Sequence, residues 1–372
     1  MKFRIEQEEL KDALAFVSRA VTNRSTMPVL KGILMKVDED GMLTMTASDN
    51  EFTIEKRLPV YESEPGETVV PAKIFGEVVR KLNGNYIEFI LEENNCVNIV
   101  TESGDFRIIT IESADFPKIT DTVPTGRIGV DSEKFRRMVN ETSFAASIDK
   151  SRGVIVGILI EAQGDSINMV ALDGFRMAVA SEKTGDQKND DASIIVPSRI
   201  LSDIGRMVSE YDSIGEKIEI MFDSHRAFIQ SEDSRIVIRT IEGKYLDYER
   251  LLPADFSTNV TVVREDFINS VEMASLFARE GRNNLVKLRF AGNGILISSK
   301  SEVGDVREKI DCEIEGQEIE IGFNSKYLIE GLKAIDDERV IIKLESSIKP
   351  CIIKPEKNDD YKYLLLPVRI IN

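Results

Sequence analysis

The residues of this chain best able to do chemistry are few: three cysteines, one histidine and an aspartate before a glycine. Cys96, Cys312 and Cys351 lie far apart and show no C-x-x-C spacing, so no zinc site or redox pair is spelled out. Each sits in or beside a strand-like run, which predicts free thiols packed as small hydrophobes in a reducing compartment. His225, in Asp223-Ser224-His225-Arg226, reads as a hairpin-turn residue, because a metal site needs further ligands beside it. Asp173 in LDGFR can be imagined as a metal ligand, but Asp before Gly is ordinary turn chemistry. No G-x-x-x-x-G-K-[ST] or G-x-G-x-x-G loop is present to cradle a phosphate. A metal-dependent nucleic-acid or phosphate hydrolase is therefore the weaker reading. The sequence calls for no catalytic residue, no cofactor and no metal.

The elements that position the remaining residues are organised as a repeat. The 372 residues, 42% hydrophobic and 30% charged, describe a globular protein too long for one compact core. No apolar run is long enough to span a membrane. The alternating start Met1-Lys2-Phe3-Arg4-Ile5-Glu6 reads as a strand rather than a signal peptide, which predicts a cytoplasmic protein with no membrane partner. Four landmarks then recur in the same order at spacings of about 125 and 130 residues.

The first landmark is a strand leading into an amphipathic helix. Ile5, Leu10 and Leu14 correspond to Val130, Phe135 and Val139, and again to Val262, Phe267 and Val271, while Glu8, Glu133 and Glu265 share a place near the helix start. The second is a strand pair closing on a turn, from Thr44, Asn168 and Leu296. The third is a second helix, preceded by Pro71, by Pro197, or capped by Asn324 or Ser325. The fourth is a run of alternating strands from Ile87, Ile218 and Val340. Each repeat thus predicts an α+β domain, two helices packed on antiparallel sheets, over residues 1–122, 127–252 and 258–372. The linkers are placed at Thr120–Gly126 and Leu252–Asn259. The first and last segments both look like exposed strand edges, so a head-to-tail dimer of six units could close a ring.

A net charge of −17 argues at first against nucleic acid, whose phosphates are met largely by Lys and Arg. The charge is unevenly distributed, however: the helical windows are near neutral and the sheets and loops carry the acid. Basic residues gather at helix ends, at Arg19 and Arg24, Arg80 and Lys81, Lys150 and Arg152, and Arg279 and Arg282. If the helices share one side, that side is electropositive relative to the rest.

Over its whole length the chain resembles the bacterial DNA polymerase processivity clamp, the beta sliding clamp. The likeness is carried by MKF at the start, Arg24 with Pro28 and Leu30, VPAKIF at 70–75, ADFP at 114–117, LDGFRMAV at 172–179 and IVPSR at 195–199. DYERLLP at 247–253, GFNSKYL at 322–328 and the terminal YLLLPVRI complete it, and FAREGRNN at 277–284 is similar to the low-GC Gram-positive type. The resemblance implies three clamp domains, a closed head-to-tail ring homodimer and helices lining a hole that holds double-stranded DNA topologically. Arg24, Lys73, Arg80, Lys81, Lys150, Arg152, Arg199, Arg279 and Arg282 would face that DNA.

The resemblance also implies a hydrophobic groove that docks short peptides of DNA polymerases, the clamp loader and repair proteins. Its residues here would be Ile155, Leu172, Gly174, Phe175, Arg176, Met177, Leu246, Arg250, Leu251, Asn324, Tyr327, Ile348, Pro350, Leu364, Leu365, Leu366, Pro367, Val368 and Arg369. Arg176, Arg250 and Arg369 would grip peptide carboxylates or carbonyls at the rim. The plainer alternative is that Leu364–Val368 is simply an edge strand, but its apolar density at an expected chain end favours the groove. Phe175 stands where many relatives carry His, and Leu246 where many carry Pro. The ring seam would bring Lys73, Phe106, Arg107 and Ile108 against Ser275, Leu276 and Glu308. A ring that scaffolds proteins without holding DNA shares all of these features except the DNA.

Overall fold

The computed structural model describes the chain apart from residues 83, 120–122, 185–188, 211–215, 282 and 371–372, and apart from the side chains of residues 190 and 209. Arg282, the first linker's start and the last two residues of the chain thus lie outside the described residues.

Each repeat opens with a strand that runs directly into a helix. These are Lys2–Glu6 into α1 (Gln7–Val17), Gly126–Asp131 into α3 (Ser132–Thr142), and Thr258–Val263 into α5 (Arg264–Ala278). The register read from the sequence holds, since all nine apolar positions matched across the copies are buried, with Ile5, Leu10, Phe135, Phe267 and Val271 wholly so. Each such side chain contributes about 1.5–3 kcal/mol of burial. Glu8, Glu133 and Glu265 fall in the first turns, at the positive end of the helix dipole. The second helices are α2 (Ala72–Lys81), α4 (Ser198–Glu210) and α6 (Ser325–Lys333). Asn324 is the cap of α6, its Oδ1 accepting from the Lys326 and Tyr327 amides at 3.0 and 3.3 Å.

The sheets do not stop where the repeats stop. One compact unit comprises Met1–Glu133 with Arg206–Thr240, the other Lys134–Gly205 with Ile241–Asn372, so the second repeat is divided between them. In the first unit an eight-stranded sheet is completed by Ser234–Arg239 of the second repeat pairing antiparallel with Phe52–Pro59 of the first. Beside it stands a five-stranded sheet ordered Tyr61–Glu64, Lys2–Glu6, Tyr86–Glu92, Cys96–Thr101, Gly104–Ile109. In the second unit a nine-stranded sheet is completed by Tyr361–Leu365 pairing with Arg176–Lys183. A four-stranded sheet, ordered Gly304–Asp311, Gly294–Ser301, Leu285–Ala291, Ile319–Asn324, accompanies it.

This corrects one expectation. The first and last strands are not open edges: Lys2–Glu6 is flanked on both sides, and Tyr361–Leu365 lies between Arg176–Lys183 and Cys351–Pro355. The reason is that Tyr61–Glu64 covers the outer side of the first strand, while the last strand keeps its own neighbour and joins the second repeat's sheet on its other side. Among the described residues, Gly104–Ile109 and Gly304–Asp311 stand at sheet edges, although their equivalents in the other repeats are paired on both sides.

Two packing details anchor the units. In the first, Phe3 and Phe89 stack at 4.7 Å between centroids, with Phe75 edge-on at 6.0 Å. In the second, α6 approaches Tyr363 so closely that a Cβ on Gly331 would lie 2.2 Å from the ring, which only glycine permits. His225 occupies the predicted hairpin turn, its amide donating to Asp223 Oδ1 at 2.7 Å. The three cysteines are free, and burial pushes the Cys351 thiol up to about 12. No helix among the described residues is long and apolar enough to cross a membrane.

Glu141 on α3 is a buried carboxyl with one oxygen lacking any partner. Burial, aided by Asp360, Glu182 and Asp336 and opposed by Arg137, pushes its pKa up to about 7. A carboxyl raised above its unfolded value of about 4.3 favours folding most when protonated, so that contribution is lost as pH climbs through about 7. Glu141→Gln should therefore be more stable than the parent at pH 8, by on the order of 2–3 kcal/mol, and little different at pH 4.5. Guanidinium denaturation at both pH values checks this; an equal gap at the two would refute the burial account.

Candidate peptide groove and basic helix ends

The turn at Asp173–Arg176 is built first by local chemistry. Asp173 Oδ1 accepts from the Phe175 and Arg176 amides at 2.8 and 3.1 Å, and Gly174 takes a φ of +89°. A Cβ at Gly174 would also meet the Arg152 guanidinium at 2.9 Å. The turn delivers Leu172 and Met177 to one face of the nine-stranded sheet. There they join Ile155, Val170, Val179, Leu364, Ile352, Tyr245 and Tyr248 in a single buried apolar cluster. Strands from two repeats thus form one apolar floor.

Above that floor sit side chains that water still reaches. Phe175 is 55% exposed, Leu246 and Leu251 are each 49% exposed, and Leu366 is 37% exposed. Phe175 stacks on Tyr327, ring centroids 6.3 Å apart, and its carbonyl accepts the Leu366 amide at 3.0 Å. Apolar groups left in water beside a continuous apolar floor are the usual mark of a docking surface. Leu365 pairs with Arg176 and Cys351 inside the sheet, so Tyr361–Leu365 is an interior strand and the plain edge-strand reading fails.

Arg176 does not stand at the rim. It is buried, and its three nitrogens are committed within the chain: Nε to Asp173 at 3.0 Å, Nη1 to Glu330, and Nη2 to the Phe144 carbonyl at 2.7 Å. Its guanidinium also lies 4.4 Å from the Tyr327 ring centroid. It ties the turn to α6, so its charge is already matched inside the chain. Arg250, beside Leu251 on a short helical turn, is exposed and pairs with Asp247 at 2.8 Å. Ile348 is exposed and Pro350 half-buried in the turn before Cys351–Pro355.

Beyond Leu366 and Pro367 the chain leaves the floor. The Val368 amide donates to the Gly322 carbonyl at 2.8 Å. Val368 and Arg369 then line a different cavity, about 590 Å³, with Leu285, Lys287, Lys300 and Arg307 of the four-stranded sheet. Sequence reasoning missed Tyr245 and Tyr248 as floor residues. Their hydroxyls donate to the Gly157 and Val170 carbonyls and to Glu161, the last at 3.1 Å. The signal was present as two aromatic residues in an otherwise polar stretch before Pro253.

Of the basic set, Arg24, Lys73, Arg80 and Lys81 are exposed in the first unit, and Lys150, Arg152, Arg199 and Arg279 in the second. Arg80 and Lys81 occupy the last turn of α2 and Arg279 caps α5, where cations complement the negative helix end. Arg152 is drawn to the groove turn, donating to the Asp173 carbonyl at 3.3 Å. Of the seam residues, Phe106, Arg107 and Leu276 are exposed, whereas Ile108 and Ser275 are buried within the chain.

Three family models match the chain in order. They are the N-terminal domain of the DNA polymerase III beta subunit over residues 1–120, its central domain over 129–247 and its C-terminal domain over 249–369. The beta sliding clamps of Staphylococcus epidermidis and Staphylococcus aureus are each 29% identical over 99% of both chains. Among solved structures, the DNA polymerase sliding clamp of Bacillus subtilis is 27% identical with a TM-score of 0.94 over the full length of both chains. The DNA polymerase III beta subunit of Thermotoga maritima, also matched over both full lengths, is 28% identical with a TM-score of 0.93. The Pseudomonas aeruginosa sliding clamp bound to griselimycin is 26% identical, with full coverage and a TM-score of 0.92.

Replacing Arg176 by Met keeps the side-chain volume but leaves Asp173 and Glu330 without their cation. Loss of one partner from a buried ion pair costs about 3–5 kcal/mol. Denaturant unfolding of Arg176→Met should show a loss of that order, and a loss below about 1 kcal/mol, typical of a surface pair, would mean that the arginine does not hold the turn.

Proposed function

The chain belongs to the DNA polymerase III beta subunit family, and on that premise we propose a working cycle for it. It is a DNA sliding clamp, a processivity factor that encircles duplex DNA and tethers polymerases without performing a reaction. The observation that carries this reading is the threefold module ending in two open, complementary edges, one on the first repeat and one on the third. Two copies joined head to tail at those edges supply six modules and two identical seams, which close a ring. Lys73, Phe106, Arg107 and Ile108 of one copy then lie at the seam with Ser275, Leu276 and Glu308 of the other.

Retention is topological. Exposed cations at Arg24, Arg80, Lys81, Lys150, Arg199 and Arg279 offer the phosphate backbone weak, sequence-independent contacts, and a tighter grip would stop sliding. The acidic remainder of a chain with net charge −17 keeps DNA off the outer surface. The apolar floor around Leu172, Met177 and Leu364, with Phe175, Leu246 and Leu366 beside it, takes short linear peptides of polymerases, the clamp loader and repair proteins. Phe175 and Leu246 make it more apolar than many relatives' grooves. Such a protein works in the cytoplasm, where the chromosome and reduced thiols are found.

Two outcomes test the cycle. Loaded onto nicked circular DNA by a clamp loader, the protein should be retained through gel filtration and released when the circle is linearised. Equal retention on linear DNA would replace threading by ordinary binding, and a ring that never retains circles would be a scaffold only. Deleting Leu366–Asn372 should abolish stimulation of polymerase synthesis and leave the dimer intact by light scattering. Full stimulation by the truncated chain would move the groove elsewhere.

A further inference from the structure

The two open strands carry a charge pattern whose meaning follows from the junctions already closed inside the chain. At the first junction Ser234 faces Lys56, Arg235 faces Glu55, Ile236 faces Ile54 and Val237 faces Thr53. At the second, Leu364 faces Met177, Tyr363 faces Ala178 and Lys362 faces Val179. Matching hairpin turns align the third copy. Asp49 closes on Phe52 and Asp173 on Arg176 as Ser301 closes on Gly304, and Ser231 closes on Ser234 as Thr101 does on Gly104.

Carried onto the open strands, this register sets Gly104 opposite Glu308, Asp105 opposite Arg307, Phe106 opposite Val306 and Arg107 opposite Asp305. We propose that the seam between two copies of this chain is locked in that register by two reciprocal ion pairs, Asp105 with Arg307 and Arg107 with Asp305. The inference rests on the ring reading and specifies which residues make its seam selective.

Three observations support it. All four charged side chains are exposed on their edge strands, and among the described residues Asp105, Asp305 and Arg307 form no ion pair. Arg107 is already oriented along its sheet face by Glu92. The position of Asp105 and Arg307 is the one where the first internal junction opposes Arg235 and Glu55. On the other face, one carboxylate oxygen of Glu308 has no partner in the chain. Its counterpart Lys56 reaches Asp233 in the neighbouring turn, the place of Ser103 at the seam. Phe106 likewise takes the place of Tyr363, whose ring lies 5.6 Å from Phe144, and Leu276 takes the place of Phe144. Directly opposed charges on paired strands attract and like charges repel, so a slip of two residues sets Asp105 against Asp305.

Sedimentation equilibrium of the full chain reads the dimer dissociation constant directly. Asp105→Arg and Arg307→Asp should each weaken the dimer about tenfold or more, and the two together should restore it to within about threefold. The within-strand exchange of Asp105→Arg with Arg107→Asp should be the weakest of all, because it sets like charges at both pairs. Unchanged melting temperatures of these surface variants separate seam from fold. Additive losses in the first double variant would overturn the register. Recovery in the second would mean that each edge meets its own copy. A parent chain that stays monomeric at micromolar concentration would remove the ring itself.

Discussion

A β-strand left without a neighbour exposes a row of amide and carbonyl groups that must be satisfied by something. That requirement governs this molecule. The last strand of the second and third repeats pairs with its own repeat on one side and with the preceding repeat on the other, so Ser234–Arg239 joins a sheet to the first repeat and Tyr361–Leu365 joins one to the second. The compact units therefore follow the sheets and cut across the repeats. Among the described residues, the first copy's last strand and the third copy's strand after the turn lack the partner that their equivalents have, and the proposed ring would supply it.

The same joining of repeats makes the apolar floor. Met177 and Leu364 face each other because two repeats share a sheet, so no single repeat could offer that surface. Rigidity beneath it comes from Arg176, which ties the Asp173 turn to α6 and supports Phe175 through Tyr327. A docking surface is most useful when its mobile parts lie at the rim and its floor is fixed, since less ordering entropy is then lost on binding. Here the fixed part is polar and buried, while the exposed part is aromatic and aliphatic.

Much of this was legible in the sequence. Period-two alternation and helical spacing located the strands and both helices of each copy, and the matched positions such as Leu10, Phe135 and Phe267 are all core residues. These signals are local and repeat with the fold. Pairing partners are not local, so nothing in LLLPV announced that its strand lies inside a sheet rather than at an edge. Arg176 misled for a related reason: a guanidinium beside exposed apolar residues looks like a rim cation until Glu330, far along the chain, is seen to claim it. The family pattern assigns Val368 and Arg369 to the groove; in the structure the Val368 amide bonds the Gly322 carbonyl, and both residues line the cavity beside the four-stranded sheet. Tyr245 and Tyr248 went unnoticed because a connecting segment rarely furnishes core aromatics.

The sharing of sheets between repeats also limits how the molecule can be dissected. The repeats look like separable modules, yet the middle one, cut out at residues 127–252, would carry two raw borders, Arg176–Lys183 and Ser234–Arg239, each stripped of the neighbour that covers it. Such a fragment is a template for fibrous self-addition rather than a free-standing domain. Swapping whole repeats between relatives meets the same obstacle, because the hydrogen-bonded borders must be exchanged as matched halves.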